Sequence, residues 1–309
     1  MDNELKNRSG FVNILGIPNS GKSTLINKLV GKKISIVSHK VQTTRFCVKG
    51  ISLYDIDKEK GIQSQIIFID TPGIFDAKRR LDKAMVSAAW SELKYCDNVI
   101  FIHDVSRAKI NDETLKIIER LIKIKASVIL VLNKIDLCSK DKLLERTLNI
   151  EKLFDFKKIF MISAKNGSGC NDLLSYLAGI MPVHPFLYDK DTISDLPEAL
   201  LASEITREKL FNTLNQELPY NLMVETEKWL INPNKSINIE QVIYVNKESH
   251  KPIILGKGGQ NIKRVGIASR KELEELLNCK IHLFLFVKYK KNWMEDPRKY
   301  SSIGLDFNA

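Results

Sequence analysis

Two short stretches combine glycines, a lysine and a helix start in ways that can grip phosphate. The first, ILGIPNSGKS, runs from Ile14 to Ser23, and the second, ILGKGGQNIKRV, from Ile254 to Val265. In the first, Gly16, Gly21, Lys22 and Ser23 fit GxxxxGK[ST] between an apolar run and a helical one. Glycines let successive N–H groups turn inward around an anion, and the helix start adds positive potential. Lys22 would reach the β- and γ-phosphates, with Asn19, Ser20 and Thr24 lining the loop and the Ser23 hydroxyl placed to hold Mg2+. The second loop, Gly256-Lys257-Gly258-Gly259, is followed by Gln260 and Asn261 rather than Lys-Ser/Thr. No second triphosphate site is therefore expected. GxxG between helices is how a KH module lets a nucleic-acid backbone lie against main chain.

Further residues fall where the first loop would need them. Asp70-Thr71-Pro72-Gly73 closes an apolar run, so Asp70 can meet the Mg2+ shell and the Gly73 N–H can sense a γ-phosphate. Asn133-Lys134-Ile135-Asp136 closes another. Its Asp136 carboxylate can accept from both N1–H and the 2-amino group of guanine, a pair adenine lacks. Ser163-Ala164-Lys165 follows a third and leaves backbone N–H groups for the guanine O6. ISIVSHKVQTTRF (34–46) is a polar, hydroxyl-bearing stretch between a helix and a strand. It reads as a switch loop whose threonine completes the Mg2+ shell. Around the second loop, Lys247, Lys251, Lys257, Lys263, Arg264 and Arg270 face only Glu248. Lys263 and Arg264 sit within a turn of the glycines, and Lys288, Lys290, Lys291 and Trp293 form a further candidate contact with single-stranded RNA.

Positioning these residues requires an alternating framework. Strands are predicted at 11–15, 46–54, 65–70, 98–104, 127–133 and 158–163, with helices at 22–30, 82–94, 112–124, 140–154 and 169–181. Too few residues separate 46–54 from 65–70 for a crossover helix, so these two should form an antiparallel hairpin. The result is an α/β P-loop domain: a doubly wound, mostly parallel sheet with one antiparallel edge strand, its motifs at the carboxyl ends of strands. A proline-rich linker (182–197) separates this domain (1–181) from an α+β KH-type domain (198–309). In the latter, a helix is expected at 198–214 and strands at 220–230, 236–246 and 280–290, with the glycine loop and helices at 256–278.

Composition agrees with a soluble two-domain protein: 309 residues, 44% hydrophobic and 28% charged. The net charge of +11 points to a polyanionic partner, and the charge is segregated. Residues 182–246 carry 5 Lys/Arg against 10 Asp/Glu, whereas 247–300 carry 13 against 6. The five cysteines show no metal-binding spacing and fit free thiols. With neither a leader-like start nor a membrane-spanning apolar run, a cytoplasmic protein is expected.

The first set of motifs resembles the translation-factor-related class of P-loop GTPases. That likeness favours Thr44 over Thr43 as the Mg2+ ligand, from the TTR pattern. It places Ile74 where some relatives carry a water-orienting glutamine, implying slow intrinsic hydrolysis. It also implies a K+ ion held partly by Asn19, the asparagine of GxxNxGKS. The joining of ISIVSHKVQTTR, DTPG and NKID to ITREKLF, QELPY and ILGKGGQNIKRVG resembles the Era family of bacterial ribosome-assembly GTPases, from about Phe11 to Leu305. The resemblance implies a monomeric switch that cycles between GTP and GDP. It further implies binding near the 3′ end of 16S ribosomal RNA during small-subunit maturation, and peripheral contact with the inner membrane. The family's GxxG commonly carries an acidic residue where Lys257 stands here, which should add attraction for phosphate. Two rival readings are a metabolic nucleotide kinase, disfavoured by the guanine-selective NKID, and an RNA scaffold with a vestigial GTPase, disfavoured by intact Lys22, Ser23, Asp70 and Asp136.

Overall fold

The computed structural model describes residues 6–38, 40, 43–214 and 218–309. His39, Val41 and Gln42 of the switch stretch, and Gln216 and Glu217 of QELPY, lie outside the described residues.

Continuous Val, Ile and Leu runs have no polar face to offer water, so they form strands covered on both sides. β1 (Arg8–Leu15), β3 (Ile62–Asp70), β4 (Asn98–Asp104), β5 (Val128–Asn133) and β6 (Lys158–Met161) run parallel. β2 (Val48–Asp57) pairs antiparallel with β3 at one edge, and the order is β2-β3-β1-β4-β5-β6. The helices between them are α1 (Lys22–Val30), α2 (Arg80–Ser91), α3 (Asp112–Lys123), α4 (Lys140–Glu151) and α5 (Cys170–Ile180). Leu15, Phe101, Leu130 and Leu132 are sealed beneath Ile117 and Leu121 of α3. Each such side chain contributes roughly 1.5–3 kcal/mol relative to exposure. α3 starts where it does because the Asn111 side chain accepts from the Thr114 N–H at 3.0 Å.

Register decides what the sheet edge presents. Ile14 stands opposite Asp70, Leu15 opposite Phe101, and Asp104 opposite Asn133. The residues that follow β1, β3 and β5 therefore emerge side by side. The edge strand β2 runs three residues further than its apolar run indicates, because an edge accommodates the charged Asp55 and Asp57. β6 stops two residues short, and Ile162 and Ser163 enter the following loop.

A second unit contains α6 (Glu198–Thr213), β7 (Leu222–Ile231), β8 (Ile237–Val245), α7 (His250–Leu255), α8 (Gln260–Leu277), β9 (Ile281–Tyr289) and α9 (Pro297–Ser301). β8 is central, antiparallel to β7 and parallel to β9. Leu210 and Leu214, together with Ile243, Ile254 and Val265, form its buried core. Two features go beyond the sequence reading. α7 precedes the glycine loop, with Pro252 tolerated in its first turn. α9 forms because Asp296 caps the Arg298 N–H and Pro297 takes the first helical position.

By contacts, residues up to Ser35, Thr44–Asp195 and Asn308–Ala309 form the first unit, and Ile36–Thr43 with Leu196–Phe307 the second. The stretch expected as a linker, 182–197, thus packs with the first unit through Asp195. Ser9 N–H donates to Pro182, the Gln65 side chain holds the main chain of Leu187 and Tyr188, and Ile51 N–H donates to Ile193 at 2.7 Å. All five cysteines are free thiols. Among the described residues, no helix is long and apolar enough to cross a membrane.

Candidate nucleotide site and nucleic-acid interface

The Gly16–Ser23 loop joins β1 to α1 in the geometry its glycines dictate. Gly21 has φ +101°, and a Cβ there would stand 2.1 Å from the Asn133 side-chain nitrogen. Only glycine fits, on both grounds. Asn19 also adopts a positive φ of 63°, which asparagine tolerates better than most residues. The first turn of α1 carries no acidic residue, so its N-terminal positive potential is undiluted. Ser20 is fully buried, and its hydroxyl donates to Ile17.

Lys22 is buried and folds over this loop, donating to the Gly16 and Ile17 carbonyls at 3.0 and 3.1 Å. Burial pulls its pKa down to about 8, although Asp70 opposes the shift. Asp70 is fully buried at the end of β3, and burial pushes its carboxyl upward against the nearby Lys22 and neighbouring hydroxyls. The Ser23 and Thr44 hydroxyls lie 3.0 Å apart, and Thr44 reaches Asp70 at 3.4 Å. Asp70 Oδ1 is buried without a partner among the described residues. Two hydroxyls and a carboxylate with a spare oxygen make an all-oxygen donor set beside a phosphate cradle, which suits Mg2+. Thr43 faces away: its hydroxyl donates to the Lys40 carbonyl. Thr71 is anchored to Ile14 and Gly73 packs against Pro18, while the Ile74 N–H donates to Gly16. The Ile74 side chain is buried and apolar, so it cannot orient a water.

The residues expected at the base divide into braces and exposed side chains. Asn133 is a brace: its side-chain nitrogen donates to Ser20 and its oxygen accepts from the Ala164 N–H, at 2.9 and 3.0 Å. It ties the phosphate loop to the Ser163-Ala164-Lys165 loop. Lys134, at φ 67°, donates to the Asn19 carbonyl and to Asp104, both at 2.7 Å. Asp136 and Lys165 are exposed. The sequence reading did not single out Asp104, which closes β4. Burial works against its charge, yet hydrogen bonds from Lys134 and Ser106 hold its pKa below the ordinary carboxylate value. A carboxylate ending an apolar strand, as Asp70 does, was the available signal.

The second loop is built the opposite way. Gly256, Gly258 and Gly259 have φ of 75°, 58° and 75°, and a Cβ on Gly258 or Gly259 would meet nothing within 4 Å. The loop faces outward, with Lys257 exposed and Lys263, Arg264 and Arg270 exposed along α8. Asn261 donates back to Ile253, closing the turn between α7 and α8 at 3.1 Å. Ile253 and Ile267 are about half exposed beside the cations. The β9 exit differs from expectation. Lys288 pairs with Glu227 at 3.2 Å and Lys290 with Asp296 at 2.5 Å, so both charges are engaged within the unit. Trp293, expected at this exit, is instead 2% exposed, and its indole N–H donates to the Asn221 carbonyl.

Comparison with known proteins places these two loops in company. A family model described as 50S ribosome-binding GTPase matches residues 11–134, and a KH-domain model matches 217–294. The chain is 49% identical to the "GTPase Era" of Mesorhizobium japonicum, covering 97% of this chain and 94% of that one. It is 50% identical to the "GTPase Era" of Agrobacterium fabrum, covering 99% and 94%. A point variant of Aquifex aeolicus Era bound to GDP.AlF4- superposes with a TM-score of 0.88 at 35% identity, covering 96% of this chain and 99% of that one. An Era structure in complex with MgGDPNP and nucleotides 1506–1542 of 16S ribosomal RNA gives 0.89 at 35% identity, covering 96% and 98%.

Proposed function

The chain belongs to the GTPase Era family, and from that membership we propose a GTP-hydrolysing switch that binds 16S ribosomal RNA near its 3′ end during small-subunit maturation. The observation carrying this reading is the opposite construction of the two glycine loops: one curls inward over a buried lysine, the other lies open among exposed cations. We assign residues 1–181 to GTP binding and hydrolysis, 182–197 to the connection, and 198–309 to RNA.

In the first loop, backbone N–H groups and Lys22 hold the β- and γ-phosphates and offset charge that grows on them as the bond to the γ-phosphoryl group breaks. Ser23 and Thr44, with Asp70 behind them, would hold Mg2+, which supplies further charge neutralisation when bound. The Gly73 N–H reports the γ-phosphate, and Asp136 selects guanine. Ile74 is apolar where some relatives carry a water-orienting glutamine, so intrinsic turnover is slow. We further propose that K+ compensates, held in part by Asn19. Turnover in potassium should exceed that in sodium, and Asn19→Ala should remove the difference; equal rates for the wild type in both salts would refute the cation.

The RNA strand would lie on Gly256–Gly259, with Lys257, Lys263 and Arg264 on its phosphates. We place the protein in the cytoplasm as a monomer, with contact to the inner membrane only at its periphery. The decisive experiment measures affinity for an RNA carrying the 3′ end of 16S ribosomal RNA, with GDP and with a non-hydrolysable GTP analogue. Tighter binding with the analogue is expected, and Gly259→Asp should weaken both without altering GTP binding. Equal affinity in the two nucleotide states would leave two activities in one chain and no switch.

A further inference from the structure

One boundary between the two units falls at the peptide bond joining Thr43 to Thr44. Thr44, whose hydroxyl meets Ser23 and Asp70, packs with the first unit; Thr43, one residue earlier, packs with the second. Within the second unit, successive turns of α6 hold the described part of segment 36–43. Arg207 donates through Nη2 to the Thr43 carbonyl. Glu208 accepts from the Val37 N–H at 2.7 Å. The carbonyls of Phe211 and Leu214, at the helix end, accept from the Lys40 ammonium. The end carbonyls of a helix lack partners in the helix itself, and a cation there is doubly favoured.

Arg207 is built for this task rather than for the surface. It is 1% exposed, its Nε and Nη2 pair with Glu204, and its guanidinium lies 5.2 Å from the Phe211 ring centroid. A guanidinium locked on several sides holds the carbonyl it reaches in one place. On the other flank of the segment, Asn27 of α1 accepts from the Ile34 and Ser35 N–H groups and donates to the Ser35 carbonyl. The threonine that would complete the Mg2+ shell therefore follows directly on a carbonyl clamped by α6.

We propose that Arg207 is a positioning residue for GTP hydrolysis: by fixing the Thr43 carbonyl it sets the peptide that carries Thr44, and with it the hydroxyl beside Ser23 and Asp70. This rests on the reading of Thr44 as a Mg2+ ligand given above.

The test compares full-length wild type, Arg207→Gln, Arg207→Lys, Lys40→Ala and Thr44→Ala. Arg207→Gln should bind GDP as before, lower kcat on the order of tenfold with little change in KM, and require more Mg2+ for half-maximal rate. Amide exchange at Val37, Thr43 and Thr44 should accelerate in the same variant with nucleotide absent. Arg207→Lys, which keeps a donor, should recover much of both effects. If Arg207→Gln does not fold, Lys40→Ala carries the test, since it loosens the segment and leaves α6 whole. A folded Arg207→Gln, or failing that Lys40→Ala, with wild-type kcat and wild-type exchange overturns the proposal. Thr44→Ala separates the premises: if it hydrolyses GTP like wild type, the Mg2+ assignment fails, and the exchange data alone decide whether Arg207 clamps the segment.

Discussion

Each charged side chain around the first loop has its role decided by what else is buried with it. Lys22 and Asp70 would be costly alone in the interior; side by side, each offsets the other's burial, and they are the two poles of the proposed phosphate and metal site. His103 shows the same physics without a partner. Burial lowers its pKa to about 4 from the ordinary 6.5, with Arg107 adding to the shift and Asp104 opposing it. Its Nδ1 is unpartnered among the described residues. Between those two pH values the unfolded chain takes up a proton that the folded one refuses, so stability falls as pH is lowered and is fully present above 6.5. Urea unfolding at pH 7 and at pH 5 should show the loss, which grows toward roughly 3 kcal/mol across the window. His103→Phe should flatten that dependence; an unchanged slope would assign it to other groups. The motif residues themselves were legible because their chemistry is local in the chain. Asp104 was legible only as a carboxylate ending an apolar run; its role became specific once the pairing of β4 with β5 set it opposite Asn133 and within reach of Lys134.

At the level of elements, the strands and helices of the first unit were legible from apolar runs and their interruptions, since a strand buried on both faces has few other ways to read. What escaped was short or capped by a single side chain. α7 spans six residues and contains a proline, and α9 depends on the Asp296 cap. The partners at the β9 exit were hidden for a related reason. A lysine-rich run with a tryptophan looks like an RNA surface, but Glu227 and Asp296, distant in sequence or beyond the strand, claim Lys288 and Lys290, and Trp293 turns inward. α8 keeps its cations exposed, and it is there that salt should act. Each phosphate neutralised on a single strand contributes about 0.7 to the slope of log affinity against log salt. Replacing Lys263 and Arg264 by glutamine should reduce that slope by about 1.4 while GTP turnover stays unchanged; an unaltered slope would remove both residues from the interface.

Across the whole molecule, order along the chain and packing divide the residues differently. The surplus of 13 Lys/Arg over 6 Asp/Glu in 247–300 lies where RNA is expected, and the acidic stretch 182–246 before it sharpens the contrast within that half. A division by sequence alone puts 36–43 with the GTPase half, because it lies between α1 and β2. Packing puts it with α6 instead, since Glu208, Arg207 and the last carbonyls of that helix supply its partners. A pattern read along the chain cannot show this, as the groups concerned are more than 160 residues apart.

The connecting stretch also ends up with a second duty. Ile193 accepts from Ile51, Ser194 donates to Lys49, and Asp195 pairs with the Lys49 ammonium, all along the outer side of β2. A rim strand left bare would offer its row of amides to any passing extended peptide. Here the join between the halves doubles as the hem of the sheet. A change in the length or stiffness of that join spares the border of the sheet only where it falls beyond Asp195.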